Sequence, residues 1–196
     1  MSSLGTNALH YLRYRVGLDQ AGTQTTEAER TLLNDVAPGR KVVVELGVFE
    51  GVSSRILRTA MDSDAELYCI DPFPPGRFGF SPQQRISEME ISKSQNGSVH
   101  WLRCFSYEAV KDWSRQIDLL YMDGDHSFEG VSRDFREWMQ FVVRGGLILI
   151  HTSHSSPNKP VPESCGPLRL VGEVVAYDPA FKISASVDSM TVVEKL

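Results

Sequence analysis

The chain has 196 residues, a formal net charge of −5, 41% hydrophobic residues and 23% charged residues. This length and composition predict one globular domain spanning 1–196. The acidic balance and the lack of a long basic run argue against a protein dedicated to nucleic acid or anionic membranes. We expect no signal peptide and no membrane helix, because no apolar segment approaches about 18 residues. Cys69, Cys104 and Cys165 lack C-x-x-C spacing, which predicts reduced thiols in a cytoplasmic protein.

The first 37 residues are predicted to form a helical cap. Leu9, Leu12 and Val16 have the spacing of one helical stripe, and Thr26 and Glu29 have the spacing of a capping box that starts a second helix. Two interpretations of this cap remain open. It is either a lid over a ligand site or a helical cover for an edge of the sheet.

The stretch VVVELGVFEGVSS, residues 42–54, predicts a strand, a glycine-bracketed turn and a helix. In an open α/β sheet such a turn lies at the carboxyl edge of the strands, where ligands bind. Gly47 can adopt a positive φ and leave room for a ligand against bare backbone. Free N–H groups at the helix start, near Ser53, would face an anion.

A second apolar strand, Leu67–Ile70, ends in Asp71, which lies 20 positions after Gly51. About 20 positions separate a glycine turn from a ribose-binding carboxylate in dinucleotide-binding folds. The Asp71 carboxylate is therefore predicted to accept two hydrogen bonds from ribose hydroxyls. The alternative is a turn residue before Pro72 that binds no ligand.

The segment Glu45–Gly51, which reads E-x-G-x-x-x-G, resembles the first motif of the class I S-adenosylmethionine (SAM)-dependent methyltransferases. The resemblance implies SAM as the cofactor and S-adenosylhomocysteine (SAH) as the product. It implies cofactor contacts from the turn and from the end of the second strand, namely Glu45, Gly47, Val48, Phe49, Gly51, Ser53, Asp71, Pro72 and Phe73. The aromatic side chains of loop 72–80 either contact cofactor or substrate or anchor the loop: Phe73, Phe78 and Phe80.

A third predicted strand, Val99–Arg103, leads into Cys104-Phe105-Ser106. In the methyltransferases this position borders the adenine, so the resemblance implies contacts from Cys104 and Ser106. The alternative is that Ser106 caps a helix over Tyr107–Trp113.

A fourth strand, Ile117–Met122, ends in the sequence DGDH, and a long helix with an apolar stripe reaching Val142 follows. Gly145-Gly146 then turns into a fifth strand, LILI, that ends in His151. This block resembles small O-methyltransferases that act on sugars and phenols.

The polar residues of the block are candidates for catalysis, since the ends of neighbouring strands meet at the ligand-binding edge. We assign Asp123 to positioning the cofactor or the acceptor. The catalytic base is then Asp125, His126 or His151, and in some of the sugar enzymes that the block resembles the second acid has this role, which indicates Asp125. The alternatives are a tight turn with a helix-capping acid and imidazoles that are only hydrogen-bonded and partly buried.

Metal-dependent relatives hold Mg²⁺ between an acid after the fourth strand and acids or amides after the fifth. Asp123 matches the first position, but His151, Thr152 and Ser153 supply no carboxylate at the second. Since Mg²⁺ prefers oxygen ligands, we expect no metal site of this kind. A softer metal held by Asp123 and His151 is left open.

The predicted fold is a Rossmann-like, doubly wound α/β sheet over residues 40–195, with seven mostly parallel strands and helices on both faces. Asp188-Ser189 joins two final strands, Phe181–Val187 and Met190–Glu194, and the last strand is antiparallel.

The predicted function is transfer of a methyl group from SAM to a small molecule, at a hydroxyl oxygen. A nicotinamide-dependent oxidoreductase is a weaker alternative because the turn lacks G-x-G-x-x-G. A non-catalytic SAM-binding module is another alternative, since Thr152 stands where relatives often have Asp. No nucleic-acid or membrane partner is expected, and a homo-oligomer remains open.

Overall fold

The structure, a computed structural model, describes residues 3–75 and 79–196. Its centre is a seven-stranded sheet in the order β3-β2-β1-β4-β5-β7-β6. The strands are β1 (Val42–Leu46), β2 (Glu66–Ile70), β3 (Ser98–Leu102), β4 (Ile117–Met122), β5 (Val142–Ile150), β6 (Phe181–Val187) and β7 (Met190–Lys195). Strands β1 to β5 pair in parallel, and β7 is antiparallel to both β5 and β6. The predicted α/β sheet with an antiparallel last strand is confirmed.

Helices cover both faces of this sheet. In the described chain they are α1 (Ser3–Arg15), α2 (Glu27–Val36), α3 (Val52–Ala60), α4 (Pro82–Ile91), α5 (Ser106–Ala109), α6 (Phe128–Trp138) and α7 (Gly166–Glu173). Among them, no helix is long and apolar enough to cross a membrane.

The hydrophobic core forms two layers, one on each face of the sheet, because successive side chains of a strand point to opposite faces. Val42 and Val44 of β1 join the layer that contains Phe135 of α6. Val43 joins the opposite layer with Leu33 of α2 and helix α3. The β-branched run that predicted β1 is buried along its whole length, as expected for a central parallel strand.

The long helix after β4 is shorter than predicted. It ends at Trp138, a 3₁₀ turn follows over Met139–Phe141, and Val142 is the first residue of β5 rather than part of the helical stripe. The cause is strand pairing, because Val142 lies opposite Ile117 of β4. A shift in the register of the two strands follows between Ile117 and Leu119. Backbone hydrogen bonds to a neighbouring strand therefore outweigh the helical spacing of this apolar residue.

The stripe predicted on the first helix is not a buried face. Leu9, Leu12 and Val16 are 57%, 55% and 67% exposed. Among residues 8–15 of α1, whose side chains are described, the buried one is instead Tyr14, and its hydroxyl donates to the Glu90 carboxylate of α4. Packing against α4 therefore selects a different face of the helix.

The predicted starts of α2 and α4 are confirmed, whereas two other helix boundaries differ from the prediction. The Thr26–Glu29 capping box is present at the start of α2, and Ser81 with Pro82 starts α4. Helix α4 ends at Ile91, although the sequence predicted it to about Gln95. Ser106 is the first residue of α5 rather than its cap, since the N-cap position belongs to Phe105.

Candidate functional site

A cavity of about 650 Å³ lies at the carboxyl ends of β1 to β4, within the size range of small-molecule sites. Ten of the predicted site residues line it: Gly47, Val48, Phe49, Ser53, Asp71, Pro72, Ser106, Asp123, Asp125 and His126. In the described chain the other five stand outside the lining: Glu45, Gly51, Phe73, Cys104 and His151. The sheet edge therefore brings most of the predicted residues together.

The glycine turn is packed against the protein itself. Gly47 has φ +86°, and a Cβ at this position would lie 2.3 Å from the carbonyl oxygen of Asp123. Gly51 has φ +79°, and its Cβ would lie 3.0 Å from the Cα of Ser87 in α4. The position of a Cβ at Gly47 is occupied by the turn after β4, although the backbone of Gly47 still lines the cavity. Glycine is required there by the close approach of two chain segments.

Glu45 is a buried side chain of β1, and its carboxylate accepts hydrogen bonds from the hydroxyls of Ser53 and Ser54. Burial raises the pKa of Glu45 to about 8, although the two hydroxyls act in the opposite direction. Its direct contacts therefore join β1 to the N-terminus of α3, behind the cavity wall.

Asp71 lines the cavity but already has several partners. One carboxylate oxygen accepts from the N–H groups of Val48 and Phe49, at 3.0 and 3.1 Å, and the other accepts from the N–H of Phe73 at 2.8 Å. A carboxylate offers about four lone-pair sites. Three of them accept from described N–H groups, which leaves one lone-pair site for a ligand hydroxyl.

Phe73 and Cys104 pack into the protein rather than line the cavity. Phe73 is buried against Trp101, with ring centroids 5.9 Å apart, and Cys104 packs on the core beside the end of β3. Phe80 makes an edge-on contact with Tyr11 of α1, whereas Phe78 lies outside the described residues. The alternative in which these aromatic residues anchor the loop fits Phe73 and Phe80.

One end of the cavity is aromatic and was not predicted in full. Phe105 and Tyr107 are stacked with centroids 5.2 Å apart, and the Arg133 guanidinium lies 4.3 Å from the Tyr107 ring. Ser106 donates to Asp134 at 2.6 Å, and burial raises the pKa of that carboxyl. Arg133 and Asp134 belong to α6 and were missed because the sequence shows only the apolar stripe of that helix.

The N-terminal segment supplies another wall of the cavity, Gly22–Thr25, within the part of the chain for which a lid over a ligand site was one of the two open interpretations. The Gly22 N–H donates to the Glu50 carboxylate in the glycine turn. His10 of α1 also contacts Glu50, at 3.1 Å, and Asp19, at 3.2 Å. The hydrogen bond to Glu50 is the main cause that raises the pKa of His10. These contacts attach the segment before α2 to the turn after β1.

Asp123, at the end of β4, is the centre of a polar cluster. Its carboxylate accepts from the Tyr121 hydroxyl at 3.1 Å, and it lies 2.7 Å from Nδ1 of His151 and 3.4 Å from Nε2 of His126. Burial alone would raise the pKa of Asp123, but the two imidazoles outweigh burial and lower it. Asp123 is thus an oriented carboxylate at the cavity wall.

The three candidates for the catalytic base differ in their surroundings. Asp125 accepts from the Ser127 N–H at 2.8 Å and packs against Gly130, which is the tight turn of the alternative interpretation, but the N-cap of α6 is Ser127 and not the acid. The His126 ring is 39% exposed at the cavity. The His151 side chain is fully buried, below Asp123. Only Asp125 and His126 can reach a ligand in this arrangement.

The ring of His151 is enclosed by charged groups. Burial disfavours the imidazolium, but the Asp123 and Glu29 carboxylates outweigh burial and raise the pKa of His151 to about 9. The Lys159 ammonium, 2.8 Å from Nε2, opposes this effect because its positive charge repels the imidazolium. With two carboxylates against one ammonium, the net effect on the pKa is upward.

Asp123, His126 and His151 bring one ligand atom each within 4.8 Å of one another, which is the spacing of a metal site. One carboxylate and two imidazoles would suit a transition metal better than Mg²⁺. However, Nδ1 of His151 is directed at Asp123, and an ammonium lies beside its other nitrogen. The donor set therefore does not fit a resident metal ion without rearrangement.

Comparisons with known proteins agree with this fold. A profile of a methyltransferase domain family matches residues 44–153, more than half of the chain. An uncharacterized protein of Acanthamoeba polyphaga mimivirus is 28% identical over 112 residues, 54% of this chain and 48% of that protein. The chain thus spans about half the length of the curated relative that it matches.

Solved structures share the fold at low sequence identity. An O-methyltransferase from Bacillus cereus in complex with SAH has a TM-score of 0.66 at 13% identity, covering 97% of this chain and 91% of that one. TomG from Streptomyces achromogenes is an O-methyltransferase of tomaymycin synthesis, and its structure is a complex with SAM. It has a TM-score of 0.66 at 13% identity, covering 100% of this chain and 91% of that one. A Clostridium thermocellum protein described as an rRNA-methylase has a TM-score of 0.58 at 12% identity. The match covers 89% of this chain and 100% of that one.

The strand order, the glycine turn after β1 and the match to the family profile agree with one another. The chain therefore belongs to the methyltransferase domain family.

Proposed function

We propose that the cavity binds SAM and that the protein transfers its methyl group to a hydroxyl of a small molecule. The observation that carries this proposal is the exposed His126 imidazole beside the Asp123 carboxylate, in the cavity that the glycine turn borders. A hydroxyl acceptor has to lose a proton, and this pair offers a base at the cavity. The O-methyltransferases among the structural neighbours support the same acceptor class.

The cavity offers a distinct place for each part of the cofactor. Asp71 would accept one ribose hydroxyl with its remaining lone pair, and the stacked Phe105 and Tyr107 would receive the adenine. The glycine turn and residues 22–25 would then surround the methionine part. When bound, SAM supplies a methyl group already activated by a cationic sulfur, so the protein has to align the acceptor and remove its proton.

His126 is the base that the geometry favours. Its Nε2 faces Asp123, so the carboxylate holds the proton on that nitrogen and leaves the Nδ1 lone pair to accept one from the acceptor. Asp125, the base indicated by the resemblance, is instead engaged with Ser127 at the start of α6. His151 is too deeply buried to touch an acceptor. The chain's net charge of −5 gives no support for a nucleic-acid acceptor.

Binding is tested first, on protein purified free of ligand. Saturating SAH should raise the melting temperature, since a ligand at 100 times its Kd adds about 2.7 kcal/mol of stability. NAD should cause no shift. The absence of a shift with SAH contradicts the proposal, and a shift with NAD alone favours an oxidoreductase.

Transfer is tested next with labelled SAM and a panel of phenols and sugars. His126→Gln should lower single-turnover transfer by about 10²–10⁴-fold, with SAH affinity unchanged. His154→Gln, which changes an imidazole that contacts the Asp188 carbonyl, is the matched control. Asp125→Asn and His151→Gln complete the comparison. Wild-type rates in all three site variants would place the base elsewhere, and SAH binding without turnover on the whole panel would favour a non-catalytic binding module.

A further inference from the structure

A buried chain of polar contacts leads from the cavity to the N-terminal part of the protein. It starts at Asp123, continues through the His151 ring, and reaches Glu29 of α2 and Lys159 of the loop after β5. Nδ1 of His151 faces Asp123 at 2.7 Å, and Nε2 lies 2.8 Å from Lys159 Nζ and 3.5 Å from a Glu29 oxygen. Lys159 Nζ also donates to Glu29, at 3.1 Å. Both ring nitrogens of His151 are thus held.

Glu29 does more than close the capping box. Its Oε2 accepts from the Thr26 N–H at 2.8 Å, which is the capping contact, and its Oε1 accepts from the N–H and hydroxyl of Ser189 in the β6–β7 turn. Neither contact needs Lys159 or His151. A fully buried carboxylate is costly unless its charge is compensated. The Lys159 ammonium supplies that compensation at the point where the carboxylate meets the ring.

Lys159 connects the same cluster to the cavity wall. It lies in a loop that contains three prolines, and its ammonium also donates to the carbonyl of Gln24, a residue that lines the cavity. The Lys159 side chain is only 22% exposed. One side chain therefore contacts α2, the cavity wall and the ring that holds Asp123.

We propose that Glu29 and Lys159 are positioning residues that fix the His151 ring and, through its Nδ1–H, the Asp123 carboxylate at the cavity. The Nδ1 proton is present both in the imidazolium and in the neutral form with Nδ1 protonated, so the contact with Asp123 does not depend on the charge of the ring. The Lys159 ammonium can donate to Nε2 only in the neutral form, whereas the Nε2–H of the imidazolium faces Glu29, which Lys159 also contacts. The catalytic consequence rests on the proposed function, since it is the Asp123–His126 pair that would act on the acceptor. A shift of about 1 Å in such a group can cost about 10²-fold in rate.

The first test needs no acceptor. In protein labelled with ¹⁵N-histidine, the hydrogen bond to Asp123 should give a protected downfield Nδ1–H resonance, assigned by its loss in His151→Gln. Lys159→Met keeps the aliphatic stem and should increase exchange of this proton with water at least about 10-fold. Glu29→Gln should act in the same direction. Glu27→Gln, which removes an exposed carboxylate from the same first turn of α2, is the matched control.

SAH binding and single-turnover transfer separate the two proposals. Because Lys159 also contacts Gln24 at the cavity, transfer is compared at saturating SAM, where Lys159→Met should transfer methyl about 10- to 100-fold more slowly than wild type. If Glu29→Gln fails to fold, the result for Lys159→Met is sufficient to test the positioning role. Unchanged exchange of the Nδ1 proton in folded Lys159→Met overturns the positioning role, even when SAH binds. Faster exchange in a protein that does not bind SAH upholds the contact network and overturns the proposed function instead.

Discussion

Glu45 gives the sharpest quantitative test of the structure, because it is a fully buried carboxyl group whose pKa lies near 8 in the folded protein. In the unfolded chain the ordinary value is 4.5. Between these two values the folded protein keeps a proton that the unfolded chain loses. A group with this shift contributes least stability at high pH, so the free energy of unfolding should fall as the pH rises from 5 to 7.

The size of the effect follows from the two pKa values. The linkage between proton binding and folding lowers the free energy of unfolding by roughly 1 kcal/mol at pH 5 and roughly 3 kcal/mol at pH 7, relative to acid conditions. Glu45→Gln is neutral in both states and removes this term, while Ser53 and Ser54 can still exchange hydrogen bonds with the amide. The stability of the variant relative to wild type should therefore rise by roughly 2 kcal/mol between pH 5 and 7. That corresponds to about 4–8 °C in melting temperature for a chain of this size.

Urea unfolding of ligand-free wild type and variant at pH 5, 6 and 7 measures this difference. Glu163→Gln removes one exposed carboxylate and serves as the control for net charge. Comparing the two variants at each pH cancels contributions from the other titrating groups. A difference between Glu45→Gln and wild type that stays constant from pH 5 to 7 would show that Glu45 is ionised in the folded protein. The two serine hydroxyls would then outweigh burial.

Three further predictions concern the cavity. Gly47→Ala should lose about 2–4 kcal/mol of unfolding free energy because its Cβ meets backbone. Gly39 is also at positive φ but has no described atom within 4 Å of a Cβ, so Gly39→Ala should lose only about 1 kcal/mol. Equal losses in chemical denaturation would argue against the close approach at Gly47. Asp71→Ala should weaken SAH binding by about 1.5–3 kcal/mol in calorimetry. It should also lower the stability of the protein because three N–H groups lose their acceptor. Unchanged SAH affinity in a folded variant would show that Asp71 is only a turn residue. Methyl transfer should persist in a chelator without added Mg²⁺, and restoration of a lost activity by Mg²⁺ alone would contradict the expected absence of a metal site.

Local patterns of the sequence predicted most of the secondary structure, and ten of the fifteen predicted site residues line the cavity. The β-branched run of β1, the capping box of α2 and the turn between β6 and β7 depend on residues close together in the chain, so their spacing carries the information. Residues at the ends of parallel strands converge whatever the loops do, and Asp71, Asp123 and His126 therefore reach one cavity as predicted.

Contacts between distant segments decided the rest. Nothing near Gly47 in the sequence indicates that the turn after β4 occupies the position of a Cβ there, and nothing near Asp71 indicates that its carboxylate accepts from three N–H groups. Glu29, 122 positions from His151, looks like a capping residue alone. Whether a polar side chain faces a ligand or the protein depends on what packs against it. That partner is determined by how the layers of the fold close, which no local pattern encodes.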